Sequence, residues 1–398
     1  MTTLAPVDEG GVAQAVAEAA AGRTPLLVEG AGSKQGMLRP VQAAQTLSTR
    51  NLSGITLYSP KELVMSARAG TPIAEIEAAA AAEGQHVIAE PPDLSALLHP
   101  NGVAPIQTLG GVVATNLSGP RRIAWGAVRD HVLGVRAVNG EGEVVRSGGR
   151  VLKNVTGLDL CKLLSGSHGT LGVMTEITIK VLPAPEATGT LMVVADDPAA
   201  AVRVLAAGLR TPYGVSGAAW LPAAAVGRVD ALPQGRGLAM LRIEEFAPSV
   251  TYRLDRLRAA LGGDVIEAAD SRAAWRAVRD AVPLAVEPGD AVWRVSVRPS
   301  AAPAVLEMLR ATHAAFLDWG GGLVWLAGPA TAASHAAVAA AVRVSGGTWT
   351  LMRGDDALRT SVDVVPAETP ALAAITRRVK AALDPAGILN PGRLYAGL

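Results

Sequence analysis

The sequence predicts an α+β protein with more than one domain, and three observations support this. The chain has 398 residues, more than a single compact core usually accommodates. Short apolar runs typical of strands alternate with helical patterns along the chain. The pattern also changes near residue 187, just after Pro183 and Pro185. This proline pair predicts the end of a first domain that spans 1–185.

The first domain shows helix and strand signals in a clear order. Asp8 is suited to cap a helix that reaches about Ala21. Residues 25–28 are typical of a short buried strand, and 72–83 of a helix with proline in its first turn. From 132 to 145 two strands flank Asn139-Gly140, which is a strong hairpin signal. A long alternating strand follows at 172–182.

The second domain is expected to span 186–365 and to form an α+β layer. Its predicted strands lie at 191–194, 238–244, 291–298, 323–326 and 348–352, and its predicted helices at 198–209, 250–261, 301–313 and 331–344. Residues 366–398 carry a predicted helix at 370–383 and a tail that ends in Asp384-Pro385 and Asn390-Pro391-Gly392-Arg393.

Bulk composition excludes several classes of function. Lys and Arg number 36 against 35 Asp and Glu, a net charge of +1, which disfavours nucleic acid and anionic membranes as partners. Cys161 is the single cysteine, so this chain holds neither an internal disulfide nor a cysteine-ligated iron–sulfur cluster. No signal peptide or membrane span is predicted. We therefore expect a cytoplasmic protein.

The first of three glycine-rich segments follows a predicted strand and contains Gly30, Ala31, Gly32, Ser33 and Lys34. Consecutive N–H groups there can form a nest for a diphosphate, although a plain turn would have the same composition. The segment lacks the Gly-Lys-Ser/Thr order of a Walker loop. It also lacks the third glycine of a Rossmann fingerprint, since position 35 is glutamine.

The other two segments lie at 108–122 and 166–176. The first has adjacent glycines, Gly110 and Gly111, followed by Thr115, Asn116 and Ser118. Glycine permits close approach of the backbone to a flat or anionic ligand, and the polar side chains add hydrogen-bonding groups. An ordinary tight loop remains the alternative interpretation.

The order of these segments resembles the vanillyl-alcohol oxidase/para-cresol methylhydroxylase flavoprotein superfamily. The motifs are Gly-Ala-Gly-Ser at 30–33, Gly-Gly-Val-Val-Ala-Thr-Asn at 110–116 and Gly-Ser-His-Gly-Thr-Leu-Gly-Val-Met-Thr-Glu at 166–176. Residues 116–122 and 126–134 look most like FAD-binding subunits of bacterial glycolate oxidases. Residues 384–393 resemble the C-terminal signature of FAD-linked oxidases.

The resemblance implies a two-subdomain FAD-binding module, at about 1–55 and 56–185, and a cap domain with a largely antiparallel sheet at 186–365. Residues 366–398 would return to the FAD domain. Many relatives attach FAD through a histidine where this chain has Ser33, so we expect non-covalent FAD. Carried over by position, the cofactor-binding residues are Gly30, Ala31, Gly32, Ser33, Lys34, Gly110, Gly111, Thr115, Asn116, Ser118, Asp130, Gly169, Gly172 and Val173.

The function implied is that of an FAD-binding subunit that oxidises glycolate, or a similar 2-hydroxy acid, to glyoxylate. Its partners would be a homologous catalytic flavoprotein subunit and an iron–sulfur subunit that takes the electrons. Any contact with the inner membrane would be made through those partners. Two alternatives remain: a self-sufficient FAD-dependent oxidoreductase of another alcohol or hydroxy acid, and an assembly subunit without flavin.

The catalytic residues are not identified by the sequence. Hydroxy-acid dehydrogenases of the superfamily carry a His-x-Gly-Asp-Gly-Asn-x-His-like element that supplies metal ligands and a base. The nearest segment here, 320–329, has no histidine or carboxylate, so no metal is expected. His313 and His335 flank it without ligand spacing, which favours packing or surface roles for both.

Three weaker candidates remain: His131, Arg294 and Arg298. His131 lies inside a cofactor-like motif, where it would contact flavin or support the backbone. Arg294 and Arg298 fall on one face of a predicted strand, opposite Trp293 and Val295. They would either bind a carboxylate or form the polar side of an amphipathic strand. Arg242 and Glu244 would likewise either bind a ligand or form the polar side of their strand.

Overall fold

The computed structural model describes residues 2–100, 102–149, 158–309 and 314–398. The chain divides into two compact units. Unit 1 comprises Met1–Leu117, Ala127–Ala184 and Ala367–Leu398, and unit 2 comprises Ser118–Gly126 and Pro185–Pro366. The chain thus leaves unit 1 for Ser118–Gly126, leaves it again next to the proline pair, and returns to it for the C-terminal helix.

The strands are β1 (Thr2–Leu4), β2 (Leu26–Glu29), β3 (Gln45–Ser48), β4 (Ile55–Ser59), β5 (Val64–Arg68), β6 (Gln85–His86), β7 (Val132–Val138), β8 (Val144–Gly148), β9 (Val173–Lys180), β10 (Leu182–Pro183), β11 (Ala187–Val194), β12 (Gly217–Leu221), β13 (Leu238–Glu245), β14 (Asp264–Glu267), β15 (Asp290–Ser296), β16 (Ala314–Asp318), β17 (Leu323–Pro329) and β18 (Thr348–Arg353).

The helices are α1 (Glu9–Ala21), α2 (Ile73–Ala82), α3 (Ser95–Leu98), α4 (Leu109–Thr115), α5 (Arg122–Trp125), α6 (Leu160–Leu164), α7 (Pro198–Leu209), α8 (Ala223–Val226), α9 (Ala247–Leu261), α10 (Ala268–Arg279), α11 (Ala302–Leu309), α12 (Ala332–Val344), α13 (Asp356–Ser361) and α14 (Pro370–Leu383).

The N-terminal part of unit 1 is a parallel sheet in the order β1-β3-β2. Helix α1 begins as the sequence predicts, because the Asp8 carboxylate accepts a hydrogen bond from the Gly11 N–H at 2.8 Å. Its apolar face, Val12 and Val16, is fully buried in a core with Leu26 and Leu389. The C-terminal tail therefore completes this core, because Leu389 also bridges to β2.

The larger sheet of unit 1 has the order β4-β5-β9-β7-β8 and is antiparallel throughout its described pairings. The predicted hairpin is confirmed as β7 and β8. Its turn is stabilised by the Asn139 side-chain oxygen, which accepts hydrogen bonds from the backbone N–H groups of Glu141 and Glu143 at 3.0 and 2.9 Å. Helices α2, α4 and α6 contribute buried residues to the core on this sheet.

Unit 2 is built on one eight-stranded sheet, β14-β11-β13-β12-β16-β17-β15-β18. Every described strand pair in it is antiparallel, so the predicted α+β class with an antiparallel sheet is confirmed. Three strands were not predicted, namely β12, β14 and β16. The predicted strand at 291–298 was too long, because β15 ends at Ser296 and Arg298 precedes a 3-10 turn.

The alternative interpretation of 108–122 as a tight loop is wrong for Leu109–Thr115, which form helix α4. Thr108 caps α4 through its hydroxyl, which accepts from the Gly111 N–H, and Asn116 ends it in the left-handed conformation with φ 50°. Glycine is required at position 110 by packing. A Cβ atom there would lie 2.9 Å from Ala69 Cβ and 3.0 Å from its carbonyl oxygen.

Candidate functional site

Unit 1 contains an open groove. It is lined from the end of β2, from one side of α4, from the segment between α6 and β9, and from the C-terminal tail. Eleven of the predicted cofactor-binding residues lie along it: Gly30, Ala31, Gly32, Ser33, Lys34, Gly110, Gly111, Thr115, Gly169, Gly172 and Val173. Three sequence segments that are far apart in the chain thus share one surface.

The first segment presents backbone donors to this groove. In the part of the chain that the structure describes, the N–H groups of Ala31, Gly32, Ser33 and Lys34 donate no hydrogen bond. Two of their carbonyls accept hydrogen bonds: that of Gly32 from the Gln35 N–H, and that of Lys34 from Arg393. Gly32 has a φ of 84°, a conformation that turns successive N–H groups toward one side. Four donors with an anion-binding arrangement are therefore available to a ligand.

Lys34 adds a positive charge to the groove. Its ammonium donates to Gln107 Oε1 at 2.7 Å and to Ser33 Oγ at 3.3 Å. Both partners are neutral, and burial lowers the pKa of Lys34 to about 8, with only a partial opposing effect from Asp93. Lys34 is therefore charged at neutral pH without a carboxylate within ion-pair distance among the described residues.

Close approach explains glycine at two further positions. A Cβ atom at Gly30 would collide with the hydroxyl of Thr108, and one at Gly169 would lie 2.8 Å from Asn390 Nδ2. Gly169 also has a φ of 73°, which L-residues with side chains rarely adopt. Glycine therefore lets the backbone pack closely against Thr108 at position 30 and against Asn390 at position 169.

Two lining residues, Asn390 and Arg393, were missed as site residues by the sequence analysis. Asn390 is 2% exposed. It accepts from the Val28 N–H at 2.7 Å and donates to the carbonyls of Val28 and His168 at 3.0 and 2.8 Å. Arg393 donates to the Lys34 and Arg39 carbonyls, each at 2.9 Å. The tail signature at 384–393 was the available signal, but no spacing rule connects it with β2.

Three residues assigned to the cofactor by resemblance do not line the groove. Asn116 Oδ1 accepts from the Arg129 N–H at 2.9 Å, and Asp130 Oδ2 accepts from the Ala127 N–H at 2.8 Å. Ser118 is 4% exposed and belongs to unit 2. The first two side chains thus hold local turns.

His168 lines the groove with a left-handed backbone, φ 54°. Burial, together with the charge of Arg393, lowers the pKa of His168 to about 3. Its imidazole is therefore neutral at physiological pH. His131, a weak candidate in the sequence, is 9% exposed and ends the 3-10 turn before β7; it does not line this groove.

The remaining candidates lie in unit 2. Arg294 packs on Trp319 and Trp325, while Arg298 is exposed. Arg242 and Glu244 form a buried ion pair at 3.1 Å, so they are partners rather than free ligands. His335 packs inside unit 2, where its Nδ1 accepts from Trp293 Nε1 at 3.1 Å. His313 lies outside the described residues.

No group of three or more histidine, cysteine, aspartate or glutamate side chains is arranged to hold a metal ion in the described ranges. Likewise, within those ranges, no helix has the length and apolar character needed to cross a membrane.

Sequence comparison identifies the family. A model described as "FAD binding domain" matches residues 2–148, and one described as "FAD linked oxidases, C-terminal domain" matches 365–394. The glycolate oxidase subunit GlcE of Escherichia coli (strain K12) is 36% identical over 384 residues, with 96% of each chain covered. The chain belongs to the family of FAD-binding glycolate oxidase subunits. The predicted resemblance is confirmed, and so is FAD as the cofactor.

Other matches agree with this family. The glycolate oxidase subunit GlcD of Bacillus subtilis (strain 168) is 31% identical over 171 residues, 43% of this chain and 34% of that protein. Among solved structures, 4-ethylphenol oxidase from Gulosibacter chungangensis gives a TM-score of 0.71 at 13% identity, with 99% and 89% of the two chains covered. Alkyldihydroxyacetonephosphate synthase gives 0.69 at 17% identity, with 98% and 75% covered.

These two structures share the fold of the chain, which confirms the predicted α+β flavoprotein fold. The chain is an FAD-dependent oxidoreductase of the group that acts on CH–OH groups.

Proposed function

We propose that this chain is the FAD-binding subunit of a glycolate oxidase or glycolate dehydrogenase complex. The complex oxidises glycolate, or a similar 2-hydroxy acid, to glyoxylate or the matching 2-oxo acid. In this proposal electrons pass to a partner iron–sulfur subunit, and the cluster lies on that partner because the single cysteine of this chain cannot ligate one. Two relatives are named as subunits of glycolate oxidases, which supports both a complex and this class of substrate.

The observation that carries the proposal is the run of four unpaired N–H groups at Ala31–Lys34 beside the Lys34 ammonium. Such a nest, with a nearby cation, suits the diphosphate of FAD. By the family resemblance, Gly110, Gly111 and Thr115 would lie along the diphosphate and isoalloxazine, and Gly169, Gly172 and Val173 would let the adenosine end approach the backbone. Asn390 and Arg393 hold the walls together through backbone carbonyls.

When bound, FAD supplies the acceptor for the hydride removed from the α-carbon of the substrate. The residues of this chain that line the groove would hold the cofactor in position. His168, with its pKa lowered to about 3, gives the groove a neutral imidazole, so Lys34 and Arg393 are its cationic side chains among the lining residues.

The complex is tested by assaying glycolate oxidation with an artificial electron acceptor, with and without co-expressed partner subunits. We expect activity from the assembled complex and little from this chain alone. Full activity of the purified chain alone would contradict the subunit role and favour a self-sufficient oxidoreductase.

Denaturation is expected to release the flavin. Ser33 stands at the position of the attachment histidine in many relatives, and its hydroxyl accepts a hydrogen bond from Lys34. Cys161 is 2% exposed, and burial raises the pKa of its thiol to about 11, so it is a poor nucleophile. Ultrafiltration after denaturation in guanidinium chloride should recover the yellow absorbance in the filtrate. Colour retained with the polypeptide would refute non-covalent binding.

The affinity for FAD is expected to fall as the pH rises through about 8, because Lys34 loses its charge there. One proton is linked to binding, so the dissociation constant rises by at most about tenfold per pH unit. Titration of the FAD-free chain by flavin fluorescence between pH 6 and 10 measures this. The Lys34→Arg variant is the control, since arginine stays protonated over the range. An equal pH dependence in both proteins would rule out Lys34 as the titrating group.

A further inference from the structure

A second concentration of positive charge lies wholly within unit 2. The guanidinium carbons of Arg294 and Arg122 lie 4.7 and 4.9 Å from the ring centroid of Trp319. Arg294 also lies 6.0 Å from the centroid of Trp325. We call Arg122, Arg294, Trp319 and Trp325 the arginine–tryptophan cluster.

Two hydrogen bonds hold Trp319 in place, one from its indole and one from its backbone. Its Nε1 donates to the Gly119 carbonyl at 3.0 Å, and its backbone N–H donates to Asp318 Oδ1 at 2.7 Å. Trp319 adopts a left-handed backbone with φ 55°, a strained conformation for an aromatic residue. Trp325 is 3% exposed. The aromatic surface under Arg294 is therefore rigid.

Two other arginines of unit 2, Arg121 and Arg242, form ion pairs with a carboxylate. Arg121 makes a two-pronged contact with Glu244, at 3.0 and 2.7 Å, and Arg242 reaches the same carboxylate at 3.1 Å. Burial raises the pKa of Glu244, but the charge of Arg242 and the hydrogen bonds from Arg121 outweigh it and lower the pKa to about 2. Glu244 is thus fully occupied by two arginines.

Arg294 differs from both. Its guanidinium forms no hydrogen bond and no ion pair with any residue in the described part of the chain, where its partners are the two indole rings. Burial and the repulsion of Arg122 lower its pKa to about 10, against a partial attraction from Asp318. An arginine has five N–H donors, and leaving them unpaired in a partly buried site is unfavourable. Arg294 as a whole is nevertheless partly exposed.

We propose that the arginine–tryptophan cluster binds the carboxylate of a small 2-hydroxy or 2-oxo acid, with the Arg294 guanidinium as the main donor. The planar fork of an arginine matches a carboxylate through two parallel hydrogen bonds. Stacking on Trp319 and Trp325 fixes the plane of the fork, and Arg122 adds positive charge nearby. This inference deepens the proposed function and rests on it for the choice of acid.

The test is a binding titration of the full-length, FAD-loaded chain with glyoxylate, followed by tryptophan fluorescence. Glyoxylate does not reduce oxidised flavin, and two of the reporting indoles flank the guanidinium. We expect saturable binding of glyoxylate and none of glycolamide, which lacks the charge. Arg294→Met should weaken binding about ten- to a hundredfold, and Arg294→Lys should recover part of the loss.

The control is Arg256→Met, which removes another arginine stacked on an aromatic ring. Arg256 lies 5.1 Å from the centroid of Tyr252 and is exposed, so its loss should leave the affinity for glyoxylate unchanged. Circular dichroism verifies that each variant is folded. Unchanged affinity in Arg294→Met, or no saturable binding by the wild type, overturns the proposal. Preferential binding of inorganic phosphate over glyoxylate overturns the carboxylate assignment.

Glycolate-dependent flavin reduction in the assembled complex separates the two proposals. Arg294-dependent binding of glyoxylate without reduction by any 2-hydroxy acid would leave the carboxylate site standing and reject the proposed function. Flavin reduction by a 2-hydroxy acid with the same KM in the wild type and in Arg294→Met would support the proposed function and reject the carboxylate site.

Discussion

Replacing Asp384 with asparagine is expected to destabilise the chain by about 3–5 kcal/mol, the usual effect of breaking a buried ion pair. Asp384 is 2% exposed and pairs with Lys380 at 2.6 Å. It also accepts from the N–H groups of Ile388 and Leu389 at 3.1 and 2.8 Å. The variant leaves the Lys380 ammonium buried with only the carbonyls of Thr170 and Leu389 as partners. Urea denaturation followed by circular dichroism measures the loss.

The matched control is Asp264→Asn. Asp264 pairs with Arg258 at 3.9 Å on the surface, where an ion pair contributes little. The double variant Lys380→Met/Asp384→Asn should recover part of the stability, because it removes the orphaned charge. A destabilisation by Asp384→Asn below about 1 kcal/mol would show that the pair does not hold the tail in place.

Replacing Gly111 with leucine is expected to abolish most FAD binding without unfolding the chain. A Cβ atom at this position meets only Thr108 Oγ1, at 3.4 Å, so the protein itself tolerates a side chain. Since both residues line the groove, the added side chain enters the space assigned to FAD. Overpacking of this kind costs about 1–3 kcal/mol, which corresponds to a roughly ten- to hundredfold weaker affinity. Flavin fluorescence titration of the FAD-free chain measures it.

Gly10→Ala is the control for this variant, because the nearest atom to its Cβ is Asp8 Oδ1 at 3.5 Å and it lies in α1, far along the chain from the groove segments. Gly111→Ala should give an intermediate affinity. The thermal midpoint of the FAD-free Gly111→Leu variant should match the wild type. A wild-type affinity for FAD in Gly111→Leu would remove Gly111 from the cofactor site.

Signals confined to a few neighbouring residues were predicted well. The Asp8 cap of α1, the Asn139-Gly140 hairpin and both ends of α7 and α14 agree with the structure. Each depends on a capping side chain, a turn residue or a proline at the first helical position, which act within one or two turns.

The missed features depend on distant parts of the chain. Strand β12, Gly217–Leu221, contains two alanines and one glycine, so its sequence has little strand preference; pairing with β13 determines it. Helix α4 contains two adjacent glycines and owes its place to packing of Gly110 on Ala69. Asn390 and Arg393 enter the groove because they bond carbonyls more than 350 residues away in the chain.

The groove of unit 1 has a consequence for biosynthesis. Asn390 connects the Val28 backbone with the His168 carbonyl, and the Leu26 N–H donates to the Ile388 carbonyl at 2.8 Å. Because Asn390 is synthesised 362 residues after Val28, the nascent chain lacks one wall of the groove until the ribosome has passed this segment. We therefore expect a chain truncated before Asn390 to bind FAD poorly, however well its other segments fold.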